Sequence, residues 1–496
     1  MAAVTPTSRL RQRHGPLVIG MVFGFLLTGC MVGPDYERPP VQEPVHYKEQ
    51  GGWLQVTPQS TQAPAEWWTI FADATLDQLE PRVANANQSL RAAYYAYQQS
   101  LALVDSARAG EFPTVGASVA SFRSKNSTLS GSTPTTVTTD SVAITASWTL
   151  DFWGKVRRQV EANEAGAQAS QDNLLAAQLS LQASLAQTYF QIRQLDGQIA
   201  LARDTVNAYE KSLTLTQNRY AAGVVSKADV AQAQVQLANA KVQLVSFGVQ
   251  RAQLEHAIAV LVGEPAPDFT LPPMAELPPP QVISAGLPSQ LLLRRPDLRA
   301  AERQVAAANA QIGVAEAAYF PSFSLTGQGG WRGSTFTNLI SAPNEFWSFG
   351  PTLAATLFDG GARSAQVAQS KSAYQQVVAQ YRQLSLQAFQ QVEDQLAALR
   401  ILADAAQLQQ QAVAAAEDSL RLVTNAYKAG TASYLNVLVT QAALYNARNS
   451  ALQLAGQRLT ANVALIQALG GTWGDAAQAA ATAAETSPPG SAEKTP

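Results

Sequence analysis

The stretch 142–160, VAITASWTLDFWGKVRRQV, changes its period half-way along. Val142, Ile144, Ala146, Trp148 and Leu150 fall on one side of an extended chain, and Thr145, Ser147 and Thr149 on the other, because successive strand residues point to opposite faces. From Lys155 the alternation stops. An Ala- and Gln-rich run continues to Tyr220, interrupted only by Gly166 and Gly197. Within it Leu185, Ile192, Ile199, Val206, Leu213 and Tyr220 recur every seven residues, with Leu195, Ala202 and Tyr209 between them, which is the seam of a coiled coil. A strand therefore feeds a helix of about 66 residues, roughly 100 Å at ~1.5 Å per residue, too long for a globular core and comparable to the depth of a periplasm.

The same device is written twice, 207 or 208 residues apart. SLRAA at 89–93 returns as DLRAA at 297–301, EFPTV at 111–115 as YFPSF at 319–323, and TLDFWG at 149–154 as TLFDGG at 356–361. Phe323, Leu325, Gly327, Gly329 and Trp331 alternate with Ser324, Thr326 and Gln328, and Val392, Leu399, Ala406, Val413, Leu420 and Tyr427 repeat the heptad. Self-similarity at a fixed offset marks a duplication. The expected organisation is a signal peptide at 1–29, an N-terminal extension at 30–74 and a first repeat at 75–262. A Pro-rich connector follows at 263–288, then a second repeat at 289–470 and a disordered tail at 471–496. Each repeat opens with a helix, 75–110 or 289–319. It continues through paired strands, 113–123 with 141–151 or 321–331 with 349–358, joined by a long polar segment. After the long rod, each returns along a shorter helix, 227–262 or 434–469. Strands of about 9–11 residues with small polar residues on one face suit an outer-membrane sheet, and equally the half-buried strands of a soluble sandwich.

Composition narrows the class. Charged residues are 14% of the chain and the net charge is −2, so no basic patch argues for nucleic acid. Arg9, Arg11 and Arg13 precede the apolar run Leu17 to Leu27, which is half a membrane span and reads as an export signal. Thr28 and Gly29 then lead into Cys30, the single cysteine, in the manner of a lipobox whose Cys becomes the acylated first residue; Met31 after it favours outer-membrane sorting. His14, His46 and His256 form no cluster, and no metal-ligand set, nucleophile elbow or phosphate loop is written, so catalytic residues, cofactors and metals are all expected to be absent. GQGG at 327–330 lies in a strand, and Trp67, Trp68 and Phe71 read as a packed N-terminal segment.

Four strands cannot close a barrel, since the smallest outer-membrane barrels use eight, and open edges in lipid leave backbone groups without partners. Strands must be pooled between chains. Three copies give twelve strands and twelve helical segments, a conduit.

The runs CMVGPDYERPPV (30–41), PAEWWTIFADATLDQLEPRV (64–83), SWTLDFWGKVRR (147–158) and LLLRRPDLRAAERQVAAANAQIGVAEAAYFPSFSLTGQGG (291–330) together resemble the outer-membrane efflux proteins. These form the TolC family, and the likeness is to its lipoprotein branch with OprM and NodT. The resemblance spans nearly the whole chain. It implies an α+β membrane protein: a trimeric twelve-stranded β-barrel continued by an antiparallel α-helical coiled-coil tunnel. It also implies efflux of small molecules across the outer membrane, together with a periplasmic adaptor (membrane fusion protein) and an inner-membrane pump of the RND type. Type I secretion is the rival within the tunnel class, and a periplasmic coiled-coil adaptor the rival outside it.

The two reversals, NRYAAGVVSKADVAQAQ at 218–234 and NAYKAGTASYLNVLVTQ at 425–441, match the family's periplasmic tips. By that match Arg219, Gly223, Ser226, Asp229, Gly430 and Ser433 face the adaptor, and Tyr427, Leu435, Asn436 and Val439 form the gate. A family tether between Asp and Tyr is matched by Asp229 and Tyr427, although Tyr427 also reads as the last knob of the coiled coil. The family lines its narrowest ring with Asp where this chain has Asn436 or Val439, and a locking Arg is matched by Ala432. Carboxylate rings select cations, so an entrance of weak cation selectivity, closed by Leu435 and Val439, is expected.

Overall fold

The computed structural model describes residues 31–50, 66–126, 135–281, 283 and 292–471. The signal segment, Cys30 and the tail from 472 lie outside the described residues, as do 127–134 and 284–291 of the polar loop and connector. In chain order the elements are α1 (Ala74–Ala86), α2 (Gln88–Arg108), β1 (Thr114–Asn126), β2 (Thr135–Leu150), α3 (Lys155–Ala221), α4 (Lys227–Leu261), α5 (Pro296–Ala317), β3 (Ser322–Gly333), β4 (Glu345–Ala354), α6 (Ala362–Lys428) and α7 (Tyr434–Ala468). The duplication keeps its register: α3 and α6 both have 67 residues, α4 and α7 both have 35.

Several boundaries differ from the sequence reading: the second strand starts at Thr135 and not at 141, and the opening helix of the second repeat at Pro296 and not at 289. The first helix breaks at Asn87, whose side chain accepts from Leu90 N at 3.0 Å and donates to Leu261 O at 2.9 Å, so one residue stops α1 and caps α2. The fourth strand runs over 345–354 and not 349–358, because Glu345 and Phe346 pair with Trp331 and Gly330. The polarity of the preceding loop hid that start.

The chain divides into two units, and each repeat contributes to both. One comprises residues up to Pro39, Gln99–Gln168 and Arg303–Ala379; the other comprises Pro40–Gln98, Ala169–Glu302 and the chain from Gln380. In the first unit the four strands form one antiparallel sheet in the order β1-β2-β3-β4. The register stacks Val119, Val142, Trp331 and Glu345 in one row, Ala117, Ile144, Gly329 and Trp347 in the next, then Val115, Ala146, Gly327 and Phe349. One face is thus almost wholly apolar; the other carries Ser118, Thr145, Gln328 and Ser348. Ile144, Trp347 and Phe349 are 60%, 77% and 68% exposed on this apolar face. Gly330 could not carry a Cβ, which would meet Val142 O at 2.0 Å.

Beside the sheet, buried Arg158 donates to Val32 O and Gly33 O and pairs with Asp35 and Glu161, so the segment following Cys30 is fastened to the start of α3. Gly33 (φ +98°) and Gly313 approach so closely that a Cβ on Gly33 would lie 2.4 Å from Gly313 Cα.

The second unit is helical. Trp67, Trp68 and Phe71 form a buried 3-10 turn in a core with Leu185, Tyr189, Phe190, Val392 and Leu465. Asp73 caps α1 through Oδ1 and accepts the Tyr189 hydroxyl on Oδ2 at 2.7 Å, while desolvation raises the Tyr189 hydroxyl above its ordinary value. The connector is held by charges paired under cover: Asp196 accepts from Arg193, Arg251 and Met274 N, and Arg251 also reaches Leu271 O. Glu80, fully buried with neither carboxyl oxygen hydrogen-bonded, is pushed up to about 9 by desolvation and is neutral at pH 7.

Candidate functional site: the two helical reversals

The reversals after α3 and α6 are built by the same local chemistry. At the first, Gly223 takes φ +75°, a left-handed conformation that costs an L side chain about 1–2 kcal/mol. Its N–H donates to Tyr220 O and Val224 N donates to Arg219 O, both at 2.9 Å, which satisfies the last carbonyls of α3. At the second, Gly430 takes φ +78°, Gly430 N donates to Tyr427 O at 3.1 Å and Thr431 N to Ala426 O at 2.9 Å. Serine then starts each return helix. Ser226 Oγ accepts from Asp229 N at 3.3 Å, and Ser433 Oγ accepts from Asn436 N at 3.4 Å.

At this point the copies part. Asp229 Oδ2 accepts from Ser226 N at 2.9 Å and from Ser226 Oγ at 2.8 Å, completing a reciprocal capping box. That carboxylate is therefore occupied in its own turn, and the structure does not bring Asp229 and Tyr427 into a hydrogen bond. Asn436 is exposed and makes only the backbone half of the cap.

Tyr427 sits instead in a buried cluster with Tyr434, Val437, Leu438 and Ala233, its ring 5.7 Å from that of Tyr434. Ser212 Oγ donates to Tyr434 Oη at 3.3 Å, and Thr216 Oγ1 lies 3.5 Å from Tyr427 Oη. Burial raises the Tyr434 hydroxyl above its ordinary value, so it stays protonated. Arg219 crosses from the first reversal to the second: Nη1 donates to Tyr427 O at 2.6 Å, and the guanidinium carbon stands 4.4 Å from the Tyr427 ring centre. The structure thus joins Arg219 to Tyr427. Leu435 and Val439, one turn apart on α7, are 55% and 61% exposed with Asn436 beside them, a face turned away from the cluster.

Tyr434, Ser212 and Thr216 escaped the sequence reading. Tyr434 follows Tyr427 by seven residues, so extending the heptad through the turn would have found it. Among the described residues no group of three His, Cys, Asp or Glu side chains is arranged to hold a metal ion, and no helix is long and apolar enough to cross a membrane.

The family described as outer membrane efflux protein matches residues 81–264 and 287–471, both repeats. The chain is 30% identical over 457 residues to the Escherichia coli "Cation efflux system protein CusC", covering 90% of this chain and 96% of that protein. It is 32% identical over 459 residues to the Pseudomonas putida "Probable efflux pump outer membrane protein TtgC", covering 91% and 94%. Among solved structures, the outer-membrane channel OprN superposes with a TM-score of 0.82 at 27% identity, covering 89% of this chain and 99% of that one. The open state of the Neisseria gonorrhoeae MtrE outer membrane channel gives 0.77 at 29% identity, covering 89% and 98%. With both repeats matched, their spacing preserved and the four-stranded sheet in place, this chain belongs to the outer membrane efflux protein family.

Proposed function

We propose that the chain is the outer-membrane channel of a tripartite efflux system, working as a homotrimer with a periplasmic adaptor and an inner-membrane pump. One observation carries this reading: an exposed apolar sheet face ending in two open edges, β1 and β4. In hydrocarbon such edges require partners, and three copies supply a closed ring of twelve strands. Acylation of Cys30, which lies outside the described residues, anchors the chain in the same membrane. The channel does no chemistry; it conducts, and direction comes from the pump.

The reversals form the periplasmic end in this reading. Arg219, Gly223, Ser226, Asp229, Gly430 and Ser433 present the surface for the adaptor, and the exposed Leu435, Asn436 and Val439 line the constriction that Tyr427 braces from behind. The cargo is small molecules, including toxic compounds, delivered by an RND-type pump. Deleting the coding region should raise intracellular accumulation of a fluorescent efflux dye, and the wild-type chain should restore export. Unchanged accumulation, together with loss of a secreted polypeptide, would overturn the reading.

A further inference from the structure

The apolar face of the sheet ends in charge. Its rows start at Leu150, Phe323 and Leu353, continue through Trp148, Leu325 and Pro351, and finish at Val119, Val142, Trp331 and Glu345. From Leu150 to Val142 the strand climbs about 27 Å at ~3.4 Å per residue, or roughly 20 Å upright at a ~40° tilt, close to the ~25 Å apolar band of an outer-membrane sheet. Trp148 lies near one end of this band and Trp331 at the other, where aromatic rings meet a membrane boundary. α2 enters and α3 leaves at the Thr114 and Leu150 end, on the periplasmic side. The opposite end, where β1 stops at Asn126 and β2 starts at Thr135, therefore belongs to the outer leaflet.

Beyond the last apolar row the same face carries Ser121 with Asp140 and Gly333, then Arg123 with Thr138, then Lys125 with Thr136. Strand alternation sets Arg123 and Lys125 on one side, roughly 7 Å apart, with the two threonines on the adjacent strand. Both cations are exposed, and among the described residues neither side chain has a hydrogen-bond or ion-pair partner. Asp140 does not neutralise them: it is 4% exposed and its carboxylate accepts Ser121 Oγ at 2.5 Å. At the same depth the inward face is different. Phe122 and Val137 lie there, and the Arg332 guanidinium stands over the Phe346 ring at 4.5 Å.

We propose, on the reading that the apolar face lies in the outer membrane, that Arg123 and Lys125 with Thr136 and Thr138 bind the phosphate of a phosphorylated glycolipid of the outer leaflet. Charge complementarity selects this occupant. Two cations without protein counter-ions stand at the depth where hydrocarbon gives way to headgroups, so acyl chains can lie along Val119, Val142 and Trp331 while a phosphate meets guanidinium and ammonium. The rival counter-ion is Glu345, on the free strand β4, since closing the ring brings β4 of a second copy against β1.

The test uses full-length protein in detergent, titrated with bisphosphorylated lipid A, with its dephosphorylated form and with inorganic phosphate. Adducts are counted by native mass spectrometry and size is followed by light scattering. Lipid A should bind at least tenfold tighter than the dephosphorylated form. Arg123→Gln and Lys125→Gln should each weaken it by roughly tenfold, about the worth of one charge-assisted contact, while the charge-preserving pair Arg123→Lys with Lys125→Arg keeps it. Arg332→Gln, at the same depth on the inward face, should leave binding unchanged. Undiminished lipid A binding when both cations are glutamine, or an equal loss in Arg332→Gln, overturns the site. Displacement of lipid A by an equal concentration of inorganic phosphate makes it a free-anion site and overturns the lipid assignment. Dissociation of the trimer in both the double glutamine variant and Glu345→Gln assigns the cations to the contact between copies instead. A chain recovered outside the outer-membrane fraction removes the membrane reading and the site with it.

Discussion

The two reversals share a glycine turn and a serine cap, yet one is a solvated loop and the other a packed joint. At the first, Tyr220 is 47% exposed and the return helix begins with Lys227; at the second, Tyr427 is 3% exposed and the return helix begins with Tyr434, 2% exposed. The turn itself is local chemistry and is copied faithfully. What surrounds it depends on whether a neighbouring helix comes near, and only the second reversal has α3 beside it with Ser212, Thr216 and Arg219.

That contrast can be broken most strongly at Tyr434. Tyr434→Ala should loosen the second reversal by about 3–5 kcal/mol, speeding amide exchange over 427–440 and raising open-channel conductance, whereas Lys227→Ala at the matching position should change exchange by less than ~0.5 kcal/mol. Equal effects at both positions would show that the joint is not where the structure puts it. Arg219→Ala should cost about 2 kcal/mol, from one charge-assisted hydrogen bond and one ring contact, and should accelerate exchange at the second reversal although the mutation lies in the first. Confinement of the change to 215–230 would refute the crossing.

Gly223→Ala and Gly430→Ala sharpen the comparison from the other side. Nothing lies within 4 Å of either missing Cβ, so only the left-handed backbone is penalised, and the two should cost the same, about 1–2 kcal/mol each, by limited proteolysis of the tips. The smallest effects belong to the caps. Asp229→Ala should cost about 1 kcal/mol and Asn436→Ala close to nothing, since the Asp229 side chain completes its capping box whereas Asn436 lends only a backbone N–H that alanine keeps. Asn436→Asp would place a carboxylate on the exposed face with Leu435 and Val439. Planar-bilayer recordings should then show higher cation selectivity and block by multivalent cations from the periplasmic side, neither of which the native entrance should show strongly.

Much of this architecture was legible in the residues. The period-two run ending at Leu150 and the period-seven run from Leu185 to Tyr220 give strand and rod, and the fixed offset between copies gives each element twice. Glycine and serine at the reversals announce the turn and the cap because both effects act within five residues. Less legible was anything needing two distant segments at once. The start of β4 at Glu345 depends on Trp331 across the sheet, and the break at Asn87 is stitched to Leu261. The pairing of Asp229 with Tyr427, matched through the family, gives way to a capping box on one side and an arginine on the other.

The sequence by itself determined the duplication, the alternating strands, the long rods and the chemistry of both turns, since each is encoded by spacing along one segment. Tertiary structure alone decided that Arg219 braces Tyr427 and that Tyr434 is covered while Leu435 and Val439 are not. A heptad states that a helix has an apolar side; which neighbour covers that side is settled only when segments some two hundred residues apart compete for the same surface.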